Sequence, residues 1–312
     1  MGRYMLSRLL GMIGVLLAVS MITFLLMHAV PGGPFDVIGM GQKMLPEELK
    51  QQLLHKYGLD RPLMEQYLLY LSNAVRFDFG YSFVQPGRTI SGIIAEQWPA
   101  SIQLGLLTLV FSLLVGGSLG VASAMNQNSW VDKLGTGVSI FCFVMPSFVF
   151  AYLLIILFSL VLKWLPTGGW DAPRQWIMPV LANSLGPILI LQRYTRSSMV
   201  DVMSSNYVRT ARAKGLSEAR VTWIHILKNS LIPLITVGGP MVASLIVGSF
   251  FIESIFRIPG IGSFFVGALG TRDYPVIMGS TLLYTVVISV TYLFSDLLYA
   301  LVDPRVTFVK EK

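Results

Sequence analysis

Charge is what this chain has least of. Asp, Glu, Lys and Arg make up 12% of its 312 residues, against 54% hydrophobic, where a soluble chain carries about a quarter charged residues. So small a polar set cannot cover a water-facing surface, and lipid must be the solvent for much of the chain. The net charge of +7 then reports on membrane orientation, not on nucleic acid, for which no basic face or binding module is present. Cysteine is nearly missing. Cys142 stands alone inside an apolar run, which excludes an intrachain disulfide and a cysteine-based zinc site. His28, His55 and His225 lie far apart, with no metal-ligand spacing. No Gly-Lys dipeptide occurs, so the chain has no phosphate-binding loop of its own and cannot hydrolyse ATP by that mechanism.

Long apolar runs are what the sequence has instead. A helix of about 20 apolar residues crosses a bilayer core, and six segments qualify: Leu9–Val30, Ile102–Met125, Val138–Leu162, Ile177–Leu191, Leu231–Ile252 and Val276–Val302. The first is longer than the apolar core of a signal peptide and lacks a clear cleavage site, which favours a retained anchor. Pro179, Pro187, Pro233 and Pro240 fall inside these runs and predict kinks. The fold class expected is an all-α membrane protein of six transmembrane helices.

Positive charge sets the orientation. Between Gln192 and Asn229 lie Arg193, Arg196, Arg209, Arg212, Lys214, Arg220 and Lys228, opposed only by Asp201 and Glu218. Arg3 and Arg8 precede the first run, and Arg305, Lys310 and Lys312 follow the last. Six spans put these three regions on one side, which the positive-inside rule makes the cytoplasm. The chain then divides into 1–30, the N-terminal end and first span; 31–101, a small external helical cap; and 102–312, a core of five spans with a cytoplasmic loop at 192–229. In the cap, Pro46 with Glu47 and Glu48 starts a helix that Gly58 ends. The apolar, glycine-broken stretch Glu253–Pro275 suits an interfacial or re-entrant helix.

Catalytic patterns are scarce. Gly116-Gly117-Ser118-Leu119-Gly120 matches G-x-S-x-G, but a nucleophile elbow needs a strand–turn–helix context. Ser118 lies about sixteen residues, roughly 24 Å, into its span from the outer end, whereas His28 sits near the outer end of the first span. The same glycines form G-x-x-x-G, a close helix-packing signal, and packing is the reading adopted. Asp296 is the clearest internal acid; at a helix centre it costs about 2.5–3.5 kcal/mol to insert, so it should face the bundle. The stretch from Asn206 to Leu216 reads as a short basic helix with the small residues Ala211 and Ala213, stopped by Gly215. It fits a groove on a partner, and it also fits an ordinary positive-inside loop.

The segment Arg209-Thr210-Ala211-Arg212-Ala213-Lys214-Gly215-Leu216 resembles the cytoplasmic coupling motif of bacterial ABC-importer permeases, in its peptide/nickel variant. The similarity runs through Pro31-Gly32-Gly33-Pro34, Tyr57-Gly58-Leu59-Asp60-Arg61-Pro62, Phe77-Asp78-Phe79-Gly80, Pro146-Ser147-Phe148 and Thr195-Arg196-Ser197-Ser198-Met199. It continues through Glu253-Ser254-Ile255-Phe256, Pro259-Gly260-Ile261-Gly262, Arg272-Asp273-Tyr274-Pro275 and Asp303-Pro304-Arg305. Trp164–Trp170 and the overall length are most similar to B-type subunits of the oligopeptide branch. Arg209 stands where the wider importer motif has glutamate, and His225-Ile226-Leu227-Lys228 where it has Ile-x-Leu-Pro.

The resemblance implies a type I importer permease in a bacterial cytoplasmic (inner) membrane. It would pair with a second homologous permease, two cytoplasmic ATP-binding subunits and an extracytoplasmic substrate-binding protein. ATP and Mg would be bound by the ATPase subunits and no cofactor by this chain, which would be a transport subunit and not an enzyme. Residues 209–216 would be its ATPase-coupling site, and peptides its cargo. The competing reading is a stand-alone six-helix carrier or channel, which copurification with an ATPase separates from the first.

Overall fold

The computed structural model describes residues 2–37 and 46–302, with the side chains of 2–5, 36–37, 232–237, 296 and 298–302 outside that description. The described residues are mostly helical, with no strand among them and one isolated bridge, Tyr81 to Thr89. Four helical stretches are long and apolar enough to cross a membrane: Leu6–Ala29, Ile90–Met125, Gly238–Phe256 and Tyr274–Ser295. A bent pair, Trp130–Val144 with Ser147–Val161, makes five if it counts as one span.

By length and composition the described residues thus give four or five of the six expected spans, and the apolar runs bend or break for local reasons. The 138–162 run bends by 99° at Met145–Pro146. Met145 is extended (ψ 112°), as the residue before a proline prefers. The 177–191 run is divided at Ser184 between the Pro173–Asn183 and Leu185–Met203 helices; Pro187 has no N–H to offer the Asn183 carbonyl. The 231–252 run breaks where Gly248 takes φ +96°, a backbone setting that favours glycine. The Ile90–Met125 span is longer than its expected counterpart and passes through π-helical turns at Leu113–Gly117. Asp296 and the C-terminal Arg305, Lys310 and Lys312 lie outside the described side chains.

Two compact units make up the chain: residues 1–100 with 259–289, and residues 101–258 with 290–312. In the first, aromatic rings fasten the cap to the first helix. Phe24 of that helix meets Tyr67 at 5.4 Å between centroids, and within the cap Tyr57 meets Phe83 at 4.6 Å. The Tyr67 hydroxyl lies 2.9 Å from Ser20 Oγ. Gly58 (φ +66°) ends the Glu47–Lys56 helix as expected, with Gly58 N–H on His55 O and Leu59 N–H on Leu54 O, the paired bonds of a Schellman cap. Asp273 accepts from Ser82 Oγ and from the N–H groups of Phe83 (3.0 Å) and Val84 (3.3 Å). Arg272 and Tyr274 donate to the carbonyls of Pro31 and Met27. The Arg272-Asp273-Tyr274 motif thus holds the cap's chain ends in place. Ile261–Thr271 is an apolar helix of 11 residues, too short to span.

In the second unit, close helix contacts occur where a side chain is missing. A Cβ on Gly116 would lie 2.8 Å from Ile188 O, and one on Gly120 would lie 2.6 Å from Thr195 Cβ. Gly117, between them, meets nothing within 4 Å. The G-x-x-x-G pattern is a packing face against helix 185–203, and Ser118 is exposed on helical backbone, not on an elbow.

Candidate functional site

The basic stretch folds as the Asn206–Ala213 helix. Its sequence divides the helix into two faces. Val208 and Ala211, three apart, are buried at 0% and 5% exposure, while Tyr207, Arg209, Thr210, Arg212, Ala213, Lys214 and Gly215 are exposed. Val208 and Ala211 enter a core with Ala124, Met199, Val221 and Ile226, flanked by Val121, Val202, Met203 and Leu216. Burying Val208 fully stabilises this seat by about 1.5–3 kcal/mol. Ala211, expected on the small outward face, is therefore an inward anchor; Ala213 and Gly215 are the small residues that face out.

The helix stops cleanly. Gly215 adopts φ +77°. Its N–H bonds Arg212 O at 2.9 Å, and the Leu216 N–H bonds Ala211 O at 3.4 Å, the two bonds of a Schellman cap. Leu216 folds back on the core that holds Ala211. Arg212 is paired with Glu218, Nε to Oε1 at 2.9 Å, on the exposed side, where such a pair contributes little. Arg209 and Lys214 extend the outward cationic face.

The seat rests on two long helical runs. Ala124 is at the end of Ser118–Met125, and Met199, Val202 and Met203 are in the last turns of Leu185–Met203. The Ser230 carbonyl accepts from Ser198 Oγ at 2.9 Å, which ties the exit from the loop to the same helix. A further polar layer lies behind. Arg196 donates to both carboxylate oxygens of Asp132 at 2.6 and 2.7 Å. Gln192 accepts from Ser139 Oγ at 2.6 Å and donates to Ser123 Oγ at 3.4 Å.

Sequence reasoning located the helix and its cap but missed this layer. Asp132 and Arg196 are 64 residues apart, and each read alone as a loop charge. The signal available was the four-residue spacing of Gln192 and Arg196, which puts two polar groups on one face of a helix.

Residues 116–308 match the family described as "Binding-protein-dependent transport system inner membrane component". Residues 1–105 match the corresponding N-terminal family of such membrane components. The chain is 39% identical over 311 residues to a dipeptide transport system permease protein of Bacillus subtilis, covering 100% of both. It is 38% identical over 308 residues to an oligopeptide transport system permease protein of Escherichia coli K12, covering 98% of this chain and 99% of the relative. Among solved structures, the inward-facing MetNI methionine ABC transporter superposes with a TM-score of 0.57 at 12% identity, over 68% of this chain and 96% of that one. That likeness shows a shared fold.

Proposed function

Because the chain belongs to the family of inner membrane components of binding-protein-dependent transport systems, we propose that it is one permease subunit of an ATP-driven importer of short peptides. The relatives' names supply the cargo class, since they cover both dipeptides and oligopeptides. Oligopeptides are the cargo proposed here. A second homologous permease completes the path, two cytoplasmic ATP-binding subunits hold ATP and Mg, and an external binding protein delivers the peptide. This chain holds no cofactor and catalyses no bond cleavage. Both termini and the 192–229 loop face the cytoplasm of a bacterium, with the cap outside.

The observation that carries this reading is the outward face of helix 206–213 on its rigid seat. A partner pressing on Arg209, Thr210, Arg212, Ala213 and Lys214 moves a body whose inner side, Val208 and Ala211, is locked to the ends of two long helical runs. Leu216 and Gly215 fix the end of that body. Closure of the ATPase pair on binding ATP displaces the helix, and the displacement opens the path toward the outside.

Purification through a tag on this chain tests the proposal, with uptake of labelled dialanine and tetra-alanine measured in parallel. ATPase subunits should copurify, and uptake should require ATP. Uptake without ATP by the chain alone would establish the stand-alone carrier instead.

A further inference from the structure

Asp132 and Arg196 form an ion pair of a different kind from Arg212–Glu218 beside it. The Asp132 side chain keeps 7% of its exposure, against 62% for Glu218. The Arg196 fork makes two parallel bonds, a geometry that fixes orientation as well as distance. Asp132 Oδ2 also accepts from the Asn128 N–H at 3.0 Å, and Asp132 N–H bonds the N-cap Ser129 Oγ at 3.5 Å. The carboxylate is thus fixed to the loop before helix 130–144 as well as to helix 185–203.

A second rung parallels the first. Gln192 and Arg196 are one turn apart on helix 185–203, and Ser139 and Asp132 are two turns apart on helix 130–144. Between the rungs, Gly135 faces helix 118–125, where a Cβ would collide with Ser123 Oγ, the hydroxyl that also accepts from Gln192. Below them, Met199, Val202 and Met203 of the same helix form the seat of helix 206–213.

We propose that Asp132–Arg196 is a positioning pair that makes helix 130–144 travel with helix 185–203 when helix 206–213 is displaced. This rests on the coupling function proposed above. Packing alone lets two helices slide past each other; a bidentate pair at one end and an amide–hydroxyl bond further along oppose both sliding and rotation. The motion is thereby delivered to helix 130–144 and, past Met145–Pro146, to helix 147–161. Without the pair, ATP hydrolysis continues while the path moves incompletely.

The test is the number of ATP molecules hydrolysed per peptide taken up, using labelled dialanine and tetra-alanine and the complete complex in vesicles with its binding protein. Arg196→Lys keeps the charge and loses the fork; the ratio should rise about threefold. Asp132→Asn should raise it about tenfold, with hydrolysis within roughly twofold of wild type. Asp132→Arg combined with Arg196→Asp should bring the ratio back toward wild type. Unchanged ratios in both single variants would overturn the proposal, as would parallel loss of uptake and hydrolysis, which is what a folding role alone produces. If Asp132→Asn does not assemble, Arg196→Lys decides by itself. Wild-type complex without ATP-dependent uptake would overturn the importer reading, separately from any variant.

Discussion

Ala211 and Ala213 are two residues apart and have opposite duties. Ala211 is packed into the seat, so Ala211→Trp overfills a core, at about 1–3 kcal/mol or more; the variant should show a lower melting temperature and lower membrane levels. Ala213 is exposed, so Ala213→Trp should reach normal membrane levels and lose ATPase copurification. Normal copurification with Ala213→Trp would remove this face as the contact. Gly215 meets nothing within 4 Å, and its requirement is backbone geometry alone. Gly215→Asn should be tolerated, because Asn visits the left-handed region, whereas Gly215→Val should cost about 1–2 kcal/mol and fray the helix end, seen as faster amide exchange at Leu216. In the cap, the His55 ring bonded to Asp60 at 2.7 Å holds that carboxyl below its ordinary range. Such a contribution is complete above the ordinary carboxylate pKa and is lost as pH falls through the lowered one. The pair is exposed and screened, so His55→Ala should leave the thermal midpoint at neutral pH unchanged.

At the level of helices, the glycine face makes a sharp contrast available. Gly116→Leu and Gly120→Leu insert side chains where Ile188 O and Thr195 stand, while Gly117→Leu points into open space. The first two should lower the thermal midpoint of the assembled protein, by about 1–3 kcal/mol or more in stability, and the third should not. Equal effects from all three would show that the spacing is not a packing face. The sequence made this face legible because G-x-x-x-G has a single geometric use in a helix. Likewise Gly58 and Gly215 announced their helix ends, because glycine takes those φ values at the least cost. What could not be read was anything needing a distant partner. The inward turn of Ala211 depends on Ala124 and Ile226, and the Asp132–Arg196 pair joins two segments that are each unremarkable alone. Hydropathy also could not give the angle of the bend at Pro146 or the place of the break at Gly248, since both depend on backbone geometry that a run of apolar residues does not record.

For the molecule as a whole, orientation is the property most directly checked. In a Cys142→Ser background, cysteines placed at Ser204 and Ser72, both exposed, should respond oppositely to an impermeant thiol reagent applied to intact cells: position 72 labels and position 204 does not. Labelling at 204 would invert the topology and with it the coupling role. The bend at Met145–Pro146 has its own consequence for the surrounding lipid. Its first leg, the 15-residue Trp130–Val144 helix, is roughly 22 Å long at 1.5 Å per residue, short of a hydrocarbon layer about 30 Å thick. Two legs at 99° cannot both stand upright, so acyl chains beside them must shorten or tilt to meet an oblique apolar surface. Such a host is sensitive to membrane thickness, at fractions of a kcal/mol per ångström of mismatch. Reconstituted in a series of phosphatidylcholines of increasing chain length, the complex should therefore work best in thin bilayers and lose uptake steadily as the acyl chains lengthen.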